Sequence, residues 1–175
     1  MSPFAGVLFL CFVSLSAAVN AESSGLISDL CRHSEDPVFC VSSLQTPPDS
    51  GERASTSNQV ETIAISAASA SASATSVYIK EKLRRQDLEP ATEDTLEDCL
   101  KNYQDAAEQL DDSLAALLAN SYADIDAWID AAISAVETCG SALESRAGSD
   151  DELSRRNAVF FKLCKNAAMI NKMLT

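Results

Sequence analysis

Five cysteines and a single histidine are the residues whose chemistry could mark this chain. Cys31, Cys40, Cys99, Cys139 and Cys164 are spread along it, and a sixth, Cys11, lies in an apolar opening stretch. A metal site would draw on close Cys or His pairs, yet there is no CxxC, and His33 has no second histidine to pair with. His33 has no nucleophile beside it either, so it reads as an exposed or capping side chain. GxSxG, HExxH, GxGxxG and P-loop patterns are all missing. The acid pairs Glu93-Asp94, Asp111-Asp112 and Asp150-Asp151 read as solvating charge on helix faces or caps. No catalytic residue, cofactor or metal is expected. Cystine formation is the chemistry that remains.

Whether cystines form depends on the compartment. Residues 3–19 are apolar and uncharged and lead into Val19-Asn20-Ala21, which suits signal peptidase, so 1–21 is expected to be a signal peptide cut after Ala21. Retention as an anchor is the alternative, although the run is short for a bilayer. No other apolar run of spanning length is expected. Cleavage removes Cys11 and leaves residues 22–175, one ordinary domain with a single core. An oxidising destination and an odd count then imply two cystines with one thiol over, or an intermolecular link. All 13 Lys/Arg and 26 Asp/Glu lie beyond the signal, so the net charge stays at -13. That balance opposes nucleic acid and anionic membrane and favours a basic partner.

The elements that would hold these cysteines are helices. Val60, Ile63, Ala67, Ala70, Ala74 and Val77 recur at spacings of 3 and 4, as do Leu96, Leu100, Tyr103, Ala107, Leu110, Leu114 and Leu117. Ile125, Ile129, Ala132, Ile133, Val136 and Leu143 mark a third helix, with Trp128 read as part of its core pattern. Ser149-Asp150-Asp151-Glu152 reads as a capping box opening a fourth, with Leu153, Phe160, Leu163, Ala167, Ile170 and Leu174 on one face. Short links at about 85–91, 120–123 and 146–149 make antiparallel neighbours. The fold class is therefore all-α, an up-down four-helix bundle over 54–175. The Ser/Ala tract Ser66–Ser76 reads as helix, since alanine favours helix, with a disordered linker as the alternative. Ahead of the bundle, residues 22–50 read as a helical hairpin turning at Asp36-Pro37, followed by the breaker-rich Gln45–Gly51 loop.

That layout pairs the cysteines. The hairpin turn brings Cys31 to Cys40. Cys99 stands about 20 residues before the turn between the second and third bundle helices, and Cys139 about 17 after it, which places them at similar heights. A Cys99–Cys139 loop of about 40 residues is worth about 4 kcal/mol in the chain-entropy picture, and the smaller loop nearly 3 kcal/mol. Cys164 is left as a half-buried, inert free thiol, with a redox or dimer-forming role as the alternative.

These residues together resemble a known family. Cys31-x8-Cys40 with Asp36-Pro37, then Leu96-Glu97-Asp98-Cys99-x3-Tyr103-x-Asp105-Ala106, then Tyr122-Ala123-Asp124, Trp128, Ala131-Ala132 and Thr138-Cys139, and a last helix with a lone cysteine, are similar to the plant invertase/pectin methylesterase inhibitors. The resemblance implies a four-helix bundle behind a helical hairpin, the same two cystines, and a plant protein secreted to the apoplast or cell wall. It also implies inhibition of an enzyme in a 1:1 complex. Invertase inhibitors of the family share a Pro-Lys-Phe element where this chain reads Ser121-Tyr122-Ala123-Asp124, so pectin methylesterase is the expected target and acid invertase the alternative. The chain ends at Thr175 without a catalytic domain, and is expected to be a free-standing inhibitor, monomeric when free.

The expected mechanism is occlusion of the polysaccharide cleft. The surface expected to make contact is the small-residue ridge Ser66, Ser69, Ser73 and Ser76 with the acidic face Asp105, Glu108, Asp111 and Asp112. A reading of another class, a secreted helical carrier of a small apolar ligand, would need a chamber inside the bundle, and an Ala-rich seam draws helices too close for one.

Overall fold

The structure, a computed structural model, describes residues 25–45, 54–85, 87–147 and 150–175. The expected signal at 1–21, most of the breaker-rich loop and the capping residue Ser149 lie outside them. Residues 25–31 form α1 and Pro37–Leu44 form α2. Asp36 caps α2 by accepting from Phe39 N at 3.1 Å, and Pro37 occupies the first helical position, where a missing N–H breaks no hydrogen bond. The hairpin so formed carries the Cys31–Cys40 cystine, with α-carbons 5.6 Å apart.

Four long helices follow: α3 (Ser57–Leu83), α4 (Pro90–Leu118), α5 (Tyr122–Ala142) and α6 (Asp151–Lys172). Thr56 opens α3 through a capping box with Gln59, each side chain meeting the other's backbone N–H. Pro90 opens α4 as Pro37 opens α2. The α4–α5 turn is set by Asn120, which takes φ 55°, while Ser121 N donates to Ala116 O at 2.9 Å and Asn120 N to Leu117 O at 3.1 Å. That is a Schellman closure, and asparagine adopts its left-handed position more readily than most side chains. A π-helical turn, Leu143–Ala147, ends α5. Asp150, rather than the expected Ser149, caps α6, its Oδ1 accepting from Glu152 N and Leu153 N at 3.1 Å each. Both residues are good caps, and sequence spacing alone does not separate them.

α3 packs on α4 and α6, and α5 packs on the same two, so the four helices close into an up-down ring. The core is filled by Tyr103, Phe160, Ile65, Ile79, Leu110, Ile125, Ile129, Leu153 and Ile170, all fully buried. Between them Ala64, Ala68, Ala72, Ala106, Ala132 and Ala167 are buried, small side chains that let the helices approach closely.

Two expectations about facing are corrected. The inward stripe of α3 is Val60, Glu61, Ala64, Ile65, Ala68, Ala72, Thr75, Ser76 and Ile79, while Ala70, Ala74 and Val77 point outward. Alanine occurs all round this helix, so two stripes of helical period were available; the structure buries Ile65 and Ile79 and leaves Ile63 half-buried and Val77 exposed. Trp128, read as core, is 39% exposed, because the buried stripe of α5 runs through Ile125, Ile129, Ala132 and Val136. By length and composition α3 is also long and apolar enough to cross a membrane, contrary to the expectation that no such run follows the signal; here its apolar side closes the bundle.

Candidate partner-binding face

α4 is fixed from its buried side by two residues one turn apart. Cys99 is bonded to Cys139 of α5, with α-carbons 4.8 Å apart. Tyr103, fully buried, donates its hydroxyl to Asn157 Oδ1 of α6 and meets the Phe160 ring edge-on at 5.9 Å. Burial keeps this phenol protonated, well above its ordinary value. The Cys-x3-Tyr spacing thus has a mechanical meaning, since residues four apart share a helix face and tie α4 both to its neighbour α5 and, across the core, to the diagonal α6.

At one end, Asp150 gathers α3 and α6. Besides capping α6, its carboxylate accepts from Tyr78 Oη at 3.2 Å and is paired with Lys82. Partial burial opposes its ionisation, but the Lys82 ammonium and the Leu153 N–H prevail and hold Asp150 below the usual carboxylate value. The same bond raises Lys82 above the usual ammonium value. Arg156 lies over the Tyr78 ring at 4.7 Å.

On the other side, the hairpin docks on α6 through Ser34 Oγ, which donates to Asn166 Oδ1 at 2.7 Å, and through Lys162–Asp36 at 2.8 Å and Lys165–Glu35 at 3.1 Å. A cleft of about 840 Å³ opens there, floored by Phe39, Ile133 and Met169. His33 stands exposed at its rim. Among the described residues no group of three or more His, Cys, Asp or Glu is arranged to hold a metal. Cys164 is a free thiol with no exposure, more deeply buried than expected, and burial raises its pKa far above the ordinary thiol value. Such a thiol is inert as a nucleophile.

The remaining surface of note is the outer face of α3 and α4. Ser66 and Ser73 are exposed and Ser69 is half-buried, in line along α3 with Thr62, Ala70 and Val77. From Thr62 to Ile79 the helix has no charged residue. On α4, Glu108, Asp111 and Asp112 are exposed and Asp105 is half-buried. Ser69 Oγ donates to Asp111 Oδ1 at 3.0 Å, which sets the ridge and the acid row side by side. Ser76 departs from this arrangement: it is 6% exposed, turned into the bundle, and its hydroxyl has no hydrogen-bond partner. Spacing of 3 from Ser73 suits one face, but α3's true inward stripe takes it. Exposed Trp128 was read as core, and Glu61, fully buried, was not singled out at all.

Residues 25–170 match the sequence profile of a family described as plant invertase/pectin methylesterase inhibitor. The chain is 27% identical over 168 residues to a pectinesterase inhibitor of Actinidia deliciosa, covering 96% of this chain and 89% of that one. A crystal structure of a mutant form of a pectin methylesterase inhibitor from Arabidopsis superposes with a TM-score of 0.71 at 17% identity, over 84% of this chain and 95% of that one. A second, of a pectin methylesterase inhibitor from Arabidopsis thaliana, gives 0.65 at 17% identity over 86% and 97%. At that identity the structures speak for the fold: the helical bundle is common to all three.

Proposed function

Because the chain belongs to the plant invertase/pectin methylesterase inhibitor family, we propose that it is a secreted inhibitor of a pectin methylesterase, active in the apoplast as one copy on one enzyme. The α3–α4 face lies across the enzyme's polysaccharide cleft and keeps pectin out. The observation that carries this reading is the pairing of an uncharged, small-residue ridge with an acidic row, joined by the Ser69–Asp111 bond. Small side chains let a partner's surface approach the α3 backbone, and carboxylates at the margin steer a basic rim into register. Ser66, Ser69 and Ser73 would form the close contact, with Asp105, Glu108, Asp111 and Asp112 beside them. The likeness to the Actinidia deliciosa relative, named a pectinesterase inhibitor, favours the esterase over invertase. So does the absence of Pro-Lys-Phe at Ser121–Asp124.

The test mixes the purified protein with plant pectin methylesterase and, separately, with acid invertase, following methanol release and sucrose cleavage. Loss of methanol release at one equivalent is the expected result. Inhibition of invertase alone overturns the target, and turnover of pectin by the protein itself overturns the inhibitor reading.

A further inference from the structure

The inward stripe of α3 contains one carboxyl group. Glu61 is fully buried among Val60, Ala64 and Ile65, and neither of its carboxyl oxygens has a hydrogen-bond partner. Across the bundle, α5 presents Asp126, whose Oδ1 accepts from Asn171 Nδ2 at 2.8 Å. The same amide also donates to Tyr122 O at 2.9 Å, and its own Oδ1 is buried without a partner. The centre of this end of the bundle therefore holds carboxyl and amide oxygens in excess of donors. That arrangement fits a carboxylic acid and penalises a carboxylate.

The charged groups around it do nothing to relieve the penalty. α2 has no ionisable side chain apart from Cys40, which is in a cystine. Asp29, Arg32, His33 and Glu35 of α1 and its turn are exposed. On α4, Asp105, Glu108, Asp111 and Asp112 belong to the outer face. On α6, Lys162 and Lys165 are paired with Asp36 and Glu35, Lys172 is exposed at the cleft, and Cys164 stays a neutral thiol. The charge whose field reaches Glu61 is that of Asp126, which is negative.

We propose that Glu61 is a proton-operated latch: as a neutral acid it lets α3 close on the bundle, and the loss of its proton, opposed there by burial and by Asp126, favours the unfolded chain. The latch is independent of which enzyme the outer face binds. Burial, and then the Asp126 charge, push the Glu61 pKa from the ordinary 4.5 up to about 9. Between those values the folded protein keeps a proton that the unfolded chain has released. Stability is therefore full below 4.5, declines as the pH rises, and stops declining above about 9, where both forms are ionised. One proton of difference lowers the folding equilibrium constant about tenfold per pH unit inside that window.

Urea unfolding of the cystine-intact protein at pH 5, 6, 7 and 8 reads this directly. The wild-type equilibrium constant is expected to fall about tenfold per unit, and Glu61→Gln to remove most of that slope. Equal slopes in the two proteins overturn the latch. Should Glu61→Gln fail to fold, infrared spectra of the wild type decide: a protonated carboxylic acid C=O band persists at pH 7 and disappears on unfolding. With Asp126→Asn the band titrates at lower pH. A wild-type spectrum without that band at pH 7 overturns the proposal.

Discussion

Ser69 Oγ donates to Asp111 Oδ1 at 3.0 Å, and this bond between α3 and α4 lies in the middle of the face proposed to meet the enzyme. Both groups are near solvent, so the bond contributes little to stability; its effect is to orient the carboxylate along the ridge. Ser69→Arg would place a long cation where the partner must approach closely. Inhibition of pectin methylesterase is expected to weaken by roughly tenfold or more, with unchanged circular dichroism and melting temperature. Asp111→Ala is expected to act mainly on the association rate, with the deficit shrinking as salt is added. Undiminished inhibition by Ser69→Arg would move the contact surface elsewhere.

Tyr103→Phe keeps the ring against Phe160 and removes the donor to Asn157, leaving a buried amide oxygen unsatisfied. The expected loss is roughly 1–3 kcal/mol, seen as a melting temperature lower by several degrees. The double variant with Asn157→Leu removes both polar groups and is expected to recover part of the loss. An unchanged melting temperature in Tyr103→Phe would show that the hydroxyl is not a tie between α4 and α6.

Asp150→Ala removes the cap of α6 together with the partner of Tyr78 and Lys82, for an expected loss of about 1 kcal/mol at pH 6. Since the folded form holds Asp150 below its ordinary 3.8, the stability it lends is present above that value and lost as the pH falls through the lowered one. Wild-type and variant unfolding curves should therefore converge as the pH falls below that lowered value. The loss contributed by Asp150 as the pH falls and the loss contributed by Glu61 as it rises from 4.5 to about 9 slope in opposite directions.

Cys164 is expected to resist iodoacetamide in the native protein and to react fully in denaturant, because its sulfur is both buried and protonated. Mass spectrometry of labelled protein checks this. Fast native labelling would restore a redox role for the thiol.

Contrast between residue types decided how much could be read beforehand. In α4, Leu96, Tyr103, Leu110 and Leu117 alternate with Asp, Glu and Gln, so the buried side was plain and the structure keeps it. The position of Cys99 and Cys139 about a common turn was enough to bring them together, because an antiparallel hairpin leaves little choice of height. α3 offers no such contrast: alanine and serine occupy every face, and the outward Ala70 and Ala74 are as helical and as apolar as the inward Ala68 and Ala72. Ser76 was misplaced for the same reason. Glu61 was passed over because glutamate is ordinarily solvated, yet its spacing of 3, 4 and 7 from Ala64, Ile65 and Ala68 was a readable signal. The Tyr103–Asn157 tie joins residues 54 apart in sequence, and periodicity within one helix gives no view of such a contact.

The two cystines leave α3 out. One closes the short hairpin and the other fastens α4 to α5, so the helix that presents the serine ridge is held by side-chain contact alone. Substitutions along its outer surface leave the covalent frame untouched. On the proposed contact surface, the preference for one enzyme over another can thus change along the outside of that helix while the cystine frame stays in place.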